Sequence, residues 1–277
     1  MSVIGIAVPN LNQGRFLAAA LRSLRSASDR VVIAVVDAGS TDESAAVIAA
    51  ARDQLSYVRS HPDAGQAAAI NEGVSALLER HPDVDFVGWL NADDMVIGEG
   101  LSTLATTLAR EPRWVAAAGR GCLADEGGTV GPEIATAPFA AESFARWCSI
   151  CQPATLVRRA AWEAVHGLDA SLDMCFDYDL WWRLSHMGPI GYVDALVAAS
   201  RDHGSTKTRT RRPVYFAEAR RIVARERGAA PWHWFISEAL EREAGFDIDR
   251  RVTGVARLRA GARAAAAFVR HRLGGAA

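Results

Sequence analysis

The sequence predicts an α/β fold, a mostly parallel sheet flanked by helices, followed by a helical C-terminal extension. Three observations lead there. Short apolar runs, several rich in β-branched residues, alternate with segments whose apolar residues recur at helical spacing. The connections between them are short. The runs also stop abruptly at turn-forming or acidic residues, as strands do when their ends open onto loops. Alternation of this kind describes a parallel sheet covered on both faces, because parallel strands need crossover connections.

Val3 to Val8 reads as the first strand, ended by Pro9-Asn10, and Phe16, Leu17, Ala20, Leu21 and Leu24 mark the apolar face of a helix. Val31 to Val36 is a second, fully buried strand that stops at Asp37-Ala38-Gly39-Ser40. Ser40 or Thr41 is the expected cap of a helix over 43–52. A short strand near Tyr57-Val58, a turn at Pro62-Asp63-Ala64-Gly65 and a helix over 66–79 follow, and Phe86 to Leu90 is the next strand. Beyond Arg110 the alternation loosens. Strands are expected at 115–118 and 155–157, a hairpin turn at 125–128, and helices at 139–147, 160–165 and 176–187. The basic, Ser/Thr-rich segment 204–213 reads as a mobile loop, and the chain is mainly helical from Val214, with Pro231 opening one helix.

Half of the 277 residues are hydrophobic, 23% are charged and the net charge is −1, a profile that gives no support to a nucleic-acid partner. No apolar stretch approaches the roughly 20 residues of a membrane span. The start of the chain lacks the basic region of a secretory signal, so a cytoplasmic location is expected. Cys148 and Cys151 form a CxxC without a second pair to complete a four-thiolate zinc site, so the four cysteines read as ordinary reduced residues. Residues 250–277 hold seven arginines and no acid, and Val255, Leu258, Ala262, Ala265 and Val269 fall near one helical face. That helix either docks on the protein or makes peripheral contact with an anionic membrane through 250–272.

The chemistry concentrates at predicted strand ends, where ligands of open α/β sheets sit. Gly88-Trp89-Leu90-Asn91-Ala92-Asp93-Asp94 ends a buried strand in two adjacent carboxylates. Their mutual repulsion is relieved by a hard divalent cation, Mg²⁺ or Mn²⁺. A solvated turn is the plain alternative. Asp37 ends the neighbouring strand, and an ionised carboxylate there can only accept hydrogen bonds. Asp177 and Asp179 both open the helix 176–187; about 200° apart on it, they cannot address one hydroxyl together.

Six segments in order resemble family 2 glycosyltransferases: Val8-Pro9-Asn10-Leu11-Asn12-Gln13-Gly14-Arg15-Phe16-Leu17, Val35-Val36-Asp37-Ala38-Gly39-Ser40-Thr41-Asp42, Asp63-Ala64-Gly65-Gln66 with Ala69-Ile70-Asn71-Glu72-Gly73, the Asn91 to Asp94 segment, Cys151-Gln152-Pro153-Ala154-Thr155, and Phe176-Asp177-Tyr178-Asp179-Leu180-Trp181-Trp182-Arg183-Leu184. The resemblance spans about 3–210. It implies a GT-A fold over 1–212, with a nucleotide-binding half (1–110) and an acceptor or catalytic half (111–212), and 213–277 as an extension. It implies an inverting transfer of sugar from a nucleotide-diphosphate sugar to a glycan or lipid-linked acceptor, in surface polysaccharide or glycolipid assembly. By analogy Asp94 and His203 hold Mn²⁺ or Mg²⁺, Asp93 and Asn91 approach the ribose, and Asp37 the base. Pro9, Asn12, Gln66, Asn71 and Lys207 are the other nucleotide or donor contacts, and Asp177 is the base, with Asp179 its competitor. This chain departs from many members at Ala38, Asn91 and Phe176, where they carry acids. A sugar-nucleotide nucleotidyltransferase and a non-catalytic nucleotide- or glycan-binding module are the other readings.

Overall fold

The protein is described by a computed structural model covering residues 2–28, 30–247 and 249–273. Its elements in chain order are β1 (Val3–Asn10), α1 (Gly14–Ala27), β2 (Val31–Asp37), α2 (Ser44–Ala50), β3 (Tyr57–Ser60), α3 (Gln66–Arg80), β4 (Val84–Trp89), β5 (Met95–Val96) and α4 (Gly100–Arg110). There follow β6 (Ala116–Ala124), β7 (Val130–Glu133), α5 (Ala141–Phe144), β8 (Thr155–Arg158), α6 (Arg159–Ala164), α7 (Phe176–Ser185) and β9 (Ile190–Arg201). The chain then continues through α8 (Lys207–Thr210), α9 (Arg212–Arg227), α10 (Trp232–Glu243) and α11 (Gly254–Leu273).

Contacts divide the chain into two interleaved units rather than at a single cut. The first comprises Met1–Phe139, Ser149–Ser171 and Asp179–His203; the second comprises Ala140–Cys148, Leu172–Tyr178 and Gly204–Ala277.

The first unit holds one sheet of order β3-β2-β1-β4-β8-β6-β9-β5, with β7 beside β6. Its first four strands are parallel, as the apolar runs Val3–Val8, Val31–Val36 and Phe86–Leu90 predict. Beyond them the pairing is mixed: β8 is antiparallel to β4 and β6, β9 parallel to β6, and β5 antiparallel to β9. Every residue of β1 is buried. Helix α1 buries Phe16, Leu17, Ala20, Leu21 and Leu24, the face its spacing predicts, each leucine contributing about 1.5–3 kcal/mol. Helix α3 lies close on β1 and β2 because Gly73 lacks a side chain; a Cβ there would meet Ala7 Cβ at 2.9 Å and Val36 Cγ2 at 3.0 Å. Trp181 is buried and stacks on Trp89 at 6.0 Å, so the tryptophans of α7 belong to the core.

Several expectations need correction. Neither Ser40 nor Thr41 caps α2. Asp42 Oδ1 accepts the Ser44 N–H at 3.0 Å, while Oδ2 accepts the Gly14 N–H at 2.8 Å, so one carboxylate ties α2 to the start of α1. The helix expected over 139–147 shrinks to Ala141–Phe144. The segment 204–213 is not an open loop: α8 occupies Lys207–Thr210, and Lys207 and Arg211 are both ion-paired with Asp173 at 2.7 Å. Strand β9 has no counterpart in the sequence pattern; Gly191 and Asp194 break its apolar run, and its register with β6 shifts twice.

In the second unit, α10 and α11 join through aromatic edges: Phe268 meets Trp232 at 5.6 Å and Phe235 at 5.4 Å. Trp234 Nε1 donates to Ala145 O at 2.8 Å.

Candidate active site

Register brings Asn10, Asp37 and Ser60 side by side at the carboxyl ends of β1, β2 and β3. Asp37 therefore has a donor on each flank. Asn10 Nδ2 reaches its Oδ1 at 2.7 Å and Ser60 Oγ its Oδ2 at 2.6 Å, and the Ser40 hydroxyl and the Gly39 and Ser40 N–H groups complete the set. Burial pushes the Asp37 carboxyl up, but the donors of Ser40, Ser60 and Asn10 outweigh it and hold the group below its ordinary value. Arg59 closes the same strand ends. Its Nη1 donates to Asp37 O, and its Nε and Nη2 grip Glu72, which also accepts the Tyr57 hydroxyl. The buried Asn10 Oδ1 has no hydrogen-bond donor among the described residues. Sequence reasoning singled out neither Arg59 nor Asn10 as a site residue; an arginine in a four-residue strand was the available signal.

Past the end of β4 the chain turns through Asn91 and Asp94, the Asp94 N–H donating to Asn91 O at 3.0 Å. Pairing of β5 with β9, Met95 opposite Ala199, then brings the end of β9 alongside Asp94. The Arg201 N–H donates to Asp94 Oδ1 at 3.0 Å, while its side chain donates to Asp93 O at 2.9 Å and lies over the Phe16 ring. Asn91 Nδ2 donates to Asp94 Oδ2 at 3.0 Å, and Gln66 Nε2 donates to Asn91 Oδ1 at 2.8 Å. Gln152 adds a further amide, donating to Trp89 O. Asp94 is buried, and that burial together with the Asp93 charge raises its pKa to about 7 despite the Arg201, Asn91 and Ser200 hydrogen bonds. His203, two residues past β9, hydrogen-bonds through Nε2 with Asp93 Oδ2 at 3.0 Å and sits against Phe16 at 4.9 Å. So Gln66, Asn91, Asp93, Asp94 and His203 come together, with Arg201, which sequence reasoning did not single out.

Among the described residues no group of three His, Cys, Asp or Glu side chains forms a ready cation cage. Two adjacent carboxylates and an imidazole are nonetheless the donor chemistry of Mn²⁺ or Mg²⁺. Mg²⁺ in particular often takes only one or two protein carboxylates and completes its shell with phosphate oxygens and water.

Other expected contacts hold the backbone. Asn12, at φ 53°, donates its N–H to Ser40 Oγ at 2.8 Å and accepts the Thr41 N–H on Oδ1 at 2.8 Å. Pro9 pairs with Val36 inside the sheet. Asn71 both donates to Leu168 O and accepts the Leu168 N–H, fastening a turn in which His166 and Gly167 have positive φ.

In the second unit, Asp177 stands in the first turn of α7. Desolvation, reinforced by the Glu218 charge and opposed by the Tyr178 N–H, raises its pKa to about 6. Glu218, on α9, accepts the N–H groups of Asp173, Met174 and Cys175 at 2.8–2.9 Å and so fixes the turn leading into α7. Nothing in the local sequence pointed to it. Lys207 Nζ donates to Asp173 O and pairs with the Asp173 carboxylate. Asp179 belongs to the first unit, where it is 1% exposed and paired with Arg183 at 2.7 Å.

Residues 5–148 match the family described as glycosyl transferase family 2. No curated protein matches the chain significantly. Among solved structures, the chain is similar to Staphylococcus aureus TarS 1–349 in complex with UDP-GlcNAc: TM-score 0.61, 16% identity, 89% of this chain and 73% of that one covered. It is also similar to the mannosyltransferase PcManGT of Pyrobaculum calidifontis in complex with GDP-Man and Mn²⁺: TM-score 0.60, 18% identity, 95% and 75% covered. At these identities the likeness shows the fold, the GT-A arrangement that the motifs implied. The family match spans more than half of the sequence, and the chain belongs to glycosyl transferase family 2.

Proposed function

We propose that this glycosyltransferase moves a sugar, with inversion, from a nucleotide-diphosphate sugar to a hydroxyl of a glycan or lipid-linked acceptor. The cellular role would be surface polysaccharide or glycolipid assembly on the cytoplasmic side. One observation carries the reading: Asp94 is a buried carboxylate beside Asp93, raised to about 7, at the carboxyl end of a parallel sheet. The donors bound by TarS and PcManGT support the donor class.

Asp94 and His203 would hold Mn²⁺ or Mg²⁺, which when bound supplies positive charge against the diphosphate. Asp93 and Asn91 meet the ribose, with Gln66 orienting Asn91. The strand-end row organised by Asp37, together with Pro9 and Asn12, shapes the base pocket, and Asn71 acts through the turn it fastens. Lys207, once released from Asp173, adds charge to the departing diphosphate. The acceptor oxygen attacks the anomeric carbon as its proton passes to Asp177. The bond from that carbon to the diphosphate oxygen breaks, and its electron pair leaves with the nucleotide. Asp177 suits this task better than Asp179, which is committed to Arg183.

The test is calorimetric titration of nucleotide-diphosphate sugars with Mn²⁺, alongside a transfer assay. Asp177→Asn should keep donor affinity and lose about 10²–10⁴-fold in turnover. Near-normal turnover would remove Asp177 as the base, and no binding of any nucleotide sugar would defeat the reading as a whole.

A further inference from the structure

Helix α11 does not bury the apolar stripe that its sequence displays. Ala260 and Ala264 are its buried positions, and Phe268 and His271 continue the same side onto α10, where His271 Nε2 accepts the Ala230 N–H at 3.0 Å. Val255 is 66% exposed, Leu258 75%, Val269 52% and Leu273 83%. At about 100° per residue these four share one arc of roughly 100° with Ala262, Ala265 and Ala266. Arg259, Arg263 and Arg270 lie along one edge of that arc, Arg263 paired there with Glu243 of α10, and Arg272 lies along the other; 254–273 contains no acidic residue.

We infer that this outward face of α11 lies on an anionic lipid bilayer surface, its apolar stripe entering the headgroup boundary and its arginines reaching lipid phosphates on either side. An apolar arc with a row of arginines on one edge and Arg272 on the other is the geometry of an interfacial helix, because long arginine side chains keep their charge at headgroup level while the stripe is immersed. A second copy of the chain fits poorly. Two such faces brought together would crowd their bordering arginines with no acid on either helix to pair them. Nor is α11 a spanning helix, since no helix among the described residues is long and apolar enough to cross a membrane. The surface is independent of the transfer chemistry, although a lipid-linked acceptor would give it a purpose.

The test is co-sedimentation of the full chain, without donor, acceptor or metal, with vesicles of phosphatidylcholine alone or with one-third phosphatidylglycerol. Binding should require the anionic lipid and weaken at high salt. The double variant L258E/V269E should lose at least about tenfold in partitioning with an unchanged circular dichroism spectrum and Tm, since both positions are exposed. R259Q/R270Q, which keeps the stripe, should lose several-fold and become less salt-sensitive. Three results would overturn the assignment: no binding to the anionic vesicles, undiminished binding by L258E/V269E, or a concentration-dependent dimer of the parent chain that the same variant abolishes. Each of these leaves the transfer assay readable, so failure here and failure of the enzymatic reading are distinguishable.

Discussion

Asp37 and Asp94 are both buried, 2% and 3% exposed, and both stand at the carboxyl side of the same sheet, yet they titrate in opposite directions. Asp37 sits between two strand ends whose side chains are donors, inside a turn whose N–H groups point at it. Asp94 has a like charge next to it in the chain, and its donors do not make up for burial. Exposure is nearly the same, but Asp94 bears the heavier desolvation and has the smaller supply of donors. A carboxylate saturated by its own fold is part of the scaffold, whereas one left with surplus charge is suited to a cation from outside.

Replacing each carboxylate is the sharpest way to break this comparison. Asp94→Asn should reduce transfer by about 10³-fold while the metal-free protein keeps its Tm at pH 7.5 or gains, because a strained charge is removed. Parent protein should gain Tm on addition of Mn²⁺ with nucleoside diphosphate, and the variant should not. Loss of metal-free stability in Asp94→Asn would show that both carboxylates are scaffold. Asp37→Asn should instead cost about 2–4 kcal/mol in urea unfolding, since an amide nitrogen would be turned towards donors. If it leaves stability intact, the donor count has no thermodynamic meaning.

The smallest effect concerns Asp177, a third carboxylate that tests the rule elsewhere. Its raised pKa means the base is active only when deprotonated, so the pH profile of kcat/KM should climb through a midpoint near pH 6 and level off above it. The contribution of its protonated form to folding stability is present below the ordinary carboxylate range and lost as pH rises through about 6. Glu218→Gln removes a charge that raises this pKa and should move the midpoint down by less than about one unit. A purely structural role for Glu218 would lower Tm and leave the midpoint where it is.

The alternating first half was legible because its elements are contiguous signals: β1 and β2 are apolar up to their last residues, β4 holds the run from Phe86, and α1 shows its buried face in five residues. The strand-end acids were legible for the same reason, since a run that stops in Asp37 or Asp93-Asp94 announces its end. Strand β9 was not, because glycine and aspartate interrupt it, and Arg201, which ends it, was not singled out. Glu218 was invisible because its three N–H partners lie more than forty residues earlier in the chain.

By itself the sequence determined the order of the first strands and helices, the acids at their ends, and the apolar stripe of α11, all properties of neighbouring residues. Tertiary structure alone decided which acid is saturated and which is not, because that depends on donors from other strands set by register. It also decided that the stripe of α11 faces outward. Periodicity defines a face of a helix, but only the rings of Trp232 and Phe235 against Phe268 select which side docks on α10.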